Sequence, residues 1–154
     1  MSFIAKIEAR AYSRATEILD RVLEAILNLY PEDLRELVVF ESTKVEGQSG
    51  DDILIVVSKL ENEPGSEATL DYLFKRLEVR DRRSLGNSLN RRIDQNCIFF
   101  VRIDKQAAFM DNIELAKGPD VISIQIHIRK YPKCRQNDAI AMLKERIREA
   151  GGDD

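Results

Sequence analysis

The feature that most constrains the fold is an unbroken alternation of apolar and polar residues at positions 122–129. After Val121 it runs Ile122, Ser123, Ile124, Gln125, Ile126, His127, Ile128 and Arg129. Successive side chains of a β-strand point to opposite faces, so this pattern predicts a strand with one apolar and one polar face. The sheet that contains it is therefore expected to be covered on one side and open on the other.

The same periodicity arguments predict the other elements of the 154-residue chain. Period-2 patterns predict further strands at residues 3–12, 37–45, 53–57, 97–104 and 113–115. Helical spacing and capping residues predict helices from Ser13 to Pro31, from Ser66 to Leu77, across 85–93 and from 140 to Gly151. The order β-α-β-β-α-α-β-β-β-α predicts an α+β fold, a single-layer, largely antiparallel sheet with helices packed mainly on one face. Residues 1–150 are expected to form one domain and residues 151–154 a short flexible tail.

Composition excludes several protein classes. No apolar stretch approaches the ~20 residues of a membrane-spanning helix, and no signal-peptide pattern opens the chain, so we expect a cytoplasmic protein. Cys97 and Cys134 lie far apart, without a further cysteine or histidine at metal-binding spacing. The sequence therefore predicts neither a disulfide nor a zinc site, and no cofactor is expected.

Charge is distributed unevenly along the chain. Residues 1–74 carry 7 basic and 15 acidic residues, a net charge of −8, whereas residues 75–154 carry 17 basic and 12 acidic residues, a net charge of +5. Because local potential steers a polyanion more than net charge does, an overall charge of −3 does not exclude nucleic acid as a partner.

The basic residues of the second half are the candidate phosphate-binding groups. One cluster lies in the predicted helices: Lys75, Arg76, Arg80, Arg82, Arg83, Arg91 and Arg92. A second follows the last strand: Arg129, Lys130, Lys133 and Arg135. Arg102 joins them from the strand at 97–104. Arginine suits this role because its planar guanidinium can donate two parallel hydrogen bonds to phosphate and can stack on bases. The structural alternative is a set of solvated helix faces paired with carboxylates.

A break in periodicity follows the strand at residues 97–104, where the chain reads Asp104-Lys105-Gln106-Ala107-Ala108. This segment resembles the signature of a small archaeal family assigned to RNA binding, some of whose members are labelled predicted exosome subunits. The resemblance extends over most of the chain. It implies a fold similar to the 5S-rRNA-binding ribosomal protein of the large subunit, and RNA as the partner.

Lys105 and Gln106 have two interpretations. Lys105 could hold a phosphate, and Gln106 could donate to and accept from a base edge or a ribose hydroxyl. Alternatively, Lys105 pairs with Asp104 or caps a helix end while Gln106 ties a bend together. The sequence does not decide between them.

No catalytic motif was found, so we expect a non-enzymatic protein that contacts structured RNA through basic residues. Gly47-Gln48-Ser49-Gly50 spells the loop of a KH module, but it joins two predicted strands and not two helices. His127, the only histidine, lies on the polar face of its strand. Two alternatives stay open: an assembly module, either a homodimer or a protein subunit of an RNA-processing complex, and a Mg²⁺-dependent nuclease using Asp51 and Asp52.

Overall fold

Alternating burial along the strands organises the fold. The computed structural model describes residues 3–14, 17–47, 50, 52–130 and 132–152. Its strands are β1 (Ile4–Ser13), β2 (Val39–Glu46), β3 (Asp52–Leu60), β4 (Ile98–Asp104) and β5 (Val121–Ile128). Its helices are α1 (Leu19–Leu27), α2 (Glu63–Arg76), α3 (Val79–Asn87), α4 (Leu89–Arg92), α5 (Lys105–Phe109) and α6 (Gln136–Gly151), with a 3₁₀ helix at Glu32–Leu37.

The strands form one sheet in the order β2-β3-β1-β5-β4. Every neighbouring pair is antiparallel. The isoleucines of β5 are buried, and the intervening Ser123, Gln125 and His127 are only partly covered. The predicted α+β fold with a single-layer sheet is therefore confirmed.

The helices bury one face of this sheet. Phe74 of α2 and Phe99 of β4 are fully buried, with ring centroids 6.4 Å apart. Tyr30 lies in the same core, where its hydroxyl is 2.8 Å from Ser58 Oγ. Burial raises the pKa of Tyr30 to about 12, an effect that exceeds the opposing influence of the Ser58 hydrogen bond.

The predicted strand at 113–115 is wrong. The break in periodicity after β4 corresponds to a short helix, α5. Only one isolated bridge, Ile103 to Leu115, joins that segment to β4. Asp104 ends β4 because its side chain accepts a hydrogen bond from the N–H of Ala107 at 2.8 Å, which caps α5. Asp111, with φ at +61°, then turns the chain back.

Two predicted helix caps are also wrong. Ser13 is the last residue of β1 and pairs with Leu54, so α1 begins only at Leu19. Asn62, rather than Ser66, caps α2, because its side chain accepts from the N–H of Gly65 at 2.7 Å. Ser66 is buried inside the helix.

The absence of a disulfide was wrongly predicted. Cys97 and Cys134 are joined by one, across a sequence separation of 37 residues. Cys97 precedes β4 and Cys134 precedes α6, and folding brings these two positions together although nothing in their spacing indicates it.

The β2–β3 hairpin forms one side of the sheet. Its ladder runs from Val39, paired with Lys59, to Glu46, paired with Asp52. Gln48, Ser49 and Asp51 of the connecting loop lie outside the described residues, as do residues 153–154 of the predicted tail. Within the described part of the chain, no helix has the length and apolar character needed to cross a membrane.

Candidate nucleic-acid interface

Two arginines of the helical cluster make contacts within the protein. Arg76 donates to the Tyr72 hydroxyl, and its guanidinium lies 5.3 Å from the Tyr72 ring centroid. It also pairs with Asp111 at 3.3 Å, which fastens α2 to the turn after α5. Arg82 donates to the carbonyl of Leu77 and so satisfies the C-terminal end of α2. Arg76 therefore has a carboxylate partner of the kind that the structural alternative describes, whereas the Arg82 contact with Leu77 is to the backbone.

The cluster after β5 also contains residues that form ion pairs within the protein. Arg129 pairs with Glu63 at the start of α2, and Lys130 lies 3.4 Å from Asp138 in α6. Both pairs are substantially exposed, so each contributes little to stability and remains open to exchange with a phosphate. Lys133 is exposed.

Six of the predicted cations are exposed, and their side chains form no hydrogen bond or ion pair with any other residue that the structure describes. They come from α2, α3, α4, β4 and the loop before α6: Lys75, Arg80, Arg83, Arg91, Arg102 and Lys133. Such side chains can reach an external anion without first breaking an internal contact.

The outer edge of β4 brings several of these cations together. Isolated bridges join Ile93 to Phe99 and Leu115 to Ile103. They hold the end of α4 and the segment 113–117 against this edge, next to Arg102. A cavity of about 260 Å³ lies here. Its lining contains three cations, Arg80, Arg92 and Lys117, and three carboxylates, Glu78, Asp81 and Glu114.

One of the three carboxylates has a structural partner. Asp81 accepts a hydrogen bond from the N–H of Leu115 at 3.0 Å and so helps to hold the 113–117 segment. Lys117 comes from this segment and was missed by the sequence analysis, because no basic neighbour marks it in the chain.

Arg91 and Arg92 repel each other. Burial, and then the positive charge of Arg91, lower the pKa of Arg92, whose Nε donates to Ser88 Oγ at 2.7 Å. Neither guanidinium group forms an ion pair with a carboxylate among the described residues, although Arg92 shares its cavity with three carboxylates, so the pair can bind an external anion.

The segment before α6 reaches the same edge. Gln136 Nε2 donates to the carbonyl of Ile93 at 2.8 Å, and the disulfide ties Cys134 to the start of β4. Arg135 lies between these two attachments. Arg135, one residue of the second basic cluster, therefore lies close in the fold to the end of α4. We call the cations along this edge the β4-edge surface, which comprises Arg80, Arg91, Arg92, Arg102, Lys117 and Arg135.

Residues 6–128 match a protein family described as RNA binding. The chain belongs to this RNA-binding family. The RNA-binding protein PAB1135 of Pyrococcus abyssi is 32% identical over 131 residues, which cover 84% of this chain and 85% of that protein.

Solved structures share the fold of this RNA-binding family member. AF2318 from Archaeoglobus fulgidus superposes with a TM-score of 0.79 at 24% identity, covering 93% of this chain and 99% of that one. Mth689 from Methanothermobacter thermautotrophicus gives a TM-score of 0.77 at 23% identity, covering 94% and 98%. The implied similarity to a ribosomal protein and the link to the exosome stay predictions.

Lys105 follows β4 directly and is buried, with 3% of the residue exposed. Its ammonium group contacts the Tyr12 carbonyl at 2.9 Å, Glu17 at 2.8 Å and Asp120 at 2.8 Å. Because an ammonium group has three protons to donate, these three acceptors engage it fully. The contacts join α5 to the end of β1, to the segment before α1 and to the segment before β5.

Gln106 links the start of α5 to the segment before β5, which is the kind of role that the structural alternative described. Its side-chain amide donates to Asp120 Oδ2 at 2.9 Å. Burial raises the pKa of Asp120, but the hydrogen bonds from Gln106 and Lys105 outweigh it and hold the pKa below its usual value. The predicted Asp104–Lys105 pair is replaced by the α5 cap.

Arg83 belongs to a different surface. With Arg82, Lys144 and Arg148 it lines a groove of about 480 Å³ between α3 and α6. Arg148 pairs with Glu145 there. The structure therefore separates Arg83 from Arg80, although only two residues lie between them in the sequence.

Two groups named in the sequence analysis remain to be placed: His127, and the carboxylates of the nuclease alternative, Asp51 and Asp52. Burial, and then the charge of Lys6, lower the pKa of His127, which lies on the open face of the sheet. Among the described residues, no three His, Cys, Asp or Glu side chains are grouped so that they could hold a metal ion. Asp51 lies outside those residues.

Proposed function

We propose that the protein binds structured RNA without catalysing a reaction, and that the β4-edge surface contacts backbone phosphates. Family membership supports RNA as the partner. The observation that carries the contact mode is the meeting of α3, α4, β4, the 113–117 segment and the segment before α6 at one edge. Arg80, Arg91 and Arg102 are exposed there without an internal partner among the described residues.

The affinity is expected to depend steeply on salt. Each phosphate contact releases condensed counterions, so six contacts would lower affinity about 10³-fold between roughly 50 and 200 mM salt. Arg92 and Lys117 share their cavity with carboxylates, and RNA would exchange those local attractions for stronger phosphate contacts.

The Arg80→Glu/Arg91→Glu double variant should weaken structured-RNA binding roughly 10- to 100-fold and reduce the salt slope by about 2. Both side chains are exposed and unpaired in the described structure, so folding should be unaffected. Fluorescence anisotropy with a labelled RNA hairpin, at several salt concentrations, measures both effects.

The matched control carries the same charge change elsewhere. Lys44 lies on β2 at the opposite edge of the sheet, and Lys144 lines the α3–α6 groove. Lys44→Glu/Lys144→Glu should bind nearly as tightly as the wild type. Equal weakening in the two double variants would mean that net charge, rather than the β4-edge surface, determines binding.

The edge strand β2 supports a second candidate function, self-association. Val39 is 60% exposed on this strand, which pairs only with β3 in the described structure. A second copy could add its own β2 there. Light scattering is then expected to report a dimer that Val39→Lys converts to monomer, whereas Met110→Lys, on the α5 turn, should not. A monomer at every concentration contradicts this function.

A further inference from the structure

The face of the sheet opposite the helices is open, and its residues form cross-strand rows. One row contains Arg102, Ser123 and Arg10 on β4, β5 and β1. The neighbouring row contains Phe100 on β4, Gln125 on β5 and Glu8 on β1. Directly paired residues of antiparallel strands project from the same face, so each row is a line of side chains available to a ligand.

The central row carries positive charge without a partner. Arg10 and Arg102 are exposed, and neither side chain forms a hydrogen bond or ion pair with another described residue. Other charges on this face are paired, since Lys6 contacts Glu8 at 3.1 Å and Lys59 lies 3.7 Å from Glu41. Arg10 and Arg102 flank Ser123, and their backbones are about 10 Å apart across two strand spacings.

Two exposed aromatic rings lie on opposite sides of this row. Phe100 is 38% exposed and Tyr12 is 48% exposed. The backbones of these two residues are separated by two strand spacings and four residues along the strands, which corresponds to about 16 Å. Core packing accounts for Phe99, whereas Phe100 and Tyr12 present apolar rings to water.

We propose that this open face binds a single-stranded segment of RNA that crosses the sheet diagonally. One base stacks on Phe100 and another on Tyr12, while Arg10 and Arg102 contact the intervening phosphates. The proposal rests on the proposed RNA-binding function and adds the class of RNA structure recognised. Arg102 belongs to both the open face and the β4-edge surface, so a duplex at the edge can continue into a single strand on the face.

The chemistry of the face favours RNA over a protein partner. Exposed aromatic rings on an antiparallel sheet stack unpaired bases, which every single-stranded nucleic acid offers. Ser123 and Gln125 lie between the rings and can donate to and accept from base edges or 2′-hydroxyls. A protein interface would instead have to bury Arg10 and Arg102 against carboxylates placed to meet them, because an unpaired buried charge is costly. Neighbouring stacked bases are about 3.4 Å apart, so the two stacked bases cannot be adjacent in a helical stack.

The test uses a single-stranded oligoribonucleotide of eight residues with 2-aminopurine at successive positions. Binding to the wild type should quench the probe where it stacks on a ring. Tyr12→Ala and Phe100→Ala should each weaken binding of the single strand roughly 5- to 150-fold and abolish quenching at one position. Binding of a blunt RNA duplex should change less than about twofold.

Leu37→Ala and Met110→Ala serve as controls, because these side chains are also exposed and apolar but lie outside the sheet. Arg10→Gln/Arg102→Gln provides a second measurement, with an expected reduction of the salt slope by about 1.4 for a single strand. If the wild type bound neither RNA at low salt, the proposed function itself would fail. If both aromatic variants bound the single strand like wild type, or if they dissociated a dimer seen by light scattering, the open-face proposal would be overturned while the β4-edge surface could stand.

Discussion

Replacing Lys105 with methionine is expected to lower the free energy of unfolding by about 3 kcal/mol, near the lower end of the cost of breaking a buried ion pair. Methionine preserves much of the aliphatic volume but removes three hydrogen bonds. Glu17 and Asp120 would then lose their common cation. The cost is moderated because the Glu17 and Asp120 side chains are 25% and 46% exposed and can regain water.

Urea denaturation monitored by circular dichroism measures this change. Lys144→Met is the matched control, because it makes the same substitution at an exposed lysine of α6 and should change stability by less than about 0.5 kcal/mol. A loss below about 1 kcal/mol in Lys105→Met would show that the three contacts do not hold these segments together.

The Lys105 effect should also depend on pH. Because the pKa of Asp120 is lower in the folded protein than in the unfolded chain, the ionised carboxylate contributes stability above the unfolded pKa of about 3.9. That contribution disappears as pH falls through the folded pKa. The difference in stability between wild type and Lys105→Met should therefore narrow below about pH 4. A constant difference down to pH 2.5 would exclude Asp120 as a major partner.

The same contacts bear on the RNA-binding interpretation of Lys105. With all three protons donated to Tyr12, Glu17 and Asp120, a phosphate could be bound only by displacing one of them. We therefore expect folded Lys105→Met to retain most of the affinity for RNA. The family-like segment would then specify the fold rather than contact the ligand.

The sequence patterns predicted correctly those features that depend on residues close together in the chain. The isoleucines of β5 alternate with polar residues, and this period is enough to define its buried and open faces. Leu85, Leu89 and Ile93 were placed correctly on a buried stripe, although Ser88 divides the predicted helix into α3 and α4.

Contacts between distant segments account for what the sequence did not predict. Lys105 meets Glu17 across 88 residues, and no periodicity links these positions. The β4-edge surface likewise depends on two isolated bridges that carry no sequence signature, so Lys117 was missed. Asp104 is different, because an aspartate ahead of Lys-Gln-Ala-Ala is a recognisable helix cap and could have identified α5.

Reducing the Cys97–Cys134 disulfide is expected to lower the free energy of unfolding by roughly 3–4 kcal/mol. The bond closes a loop whose ends are 37 residues apart, and opening it returns conformational entropy to the unfolded chain. Reduction changes no side-chain volume, so it isolates the crosslink better than a substitution at buried Cys97 does.

Parallel urea titrations with and without dithiothreitol measure this loss. Cys97→Ser/Cys134→Ser is the control, because its stability should be unaffected by the reductant. The reduced protein should remain folded: Gln136 still donates to the carbonyl of Ile93, and Cys97 stays enclosed by the core. Arg135 would then be held beside α4 by one attachment instead of two, and structured-RNA affinity should fall only modestly. Equal stability with and without dithiothreitol would mean that the crosslink does not restrict the unfolded chain.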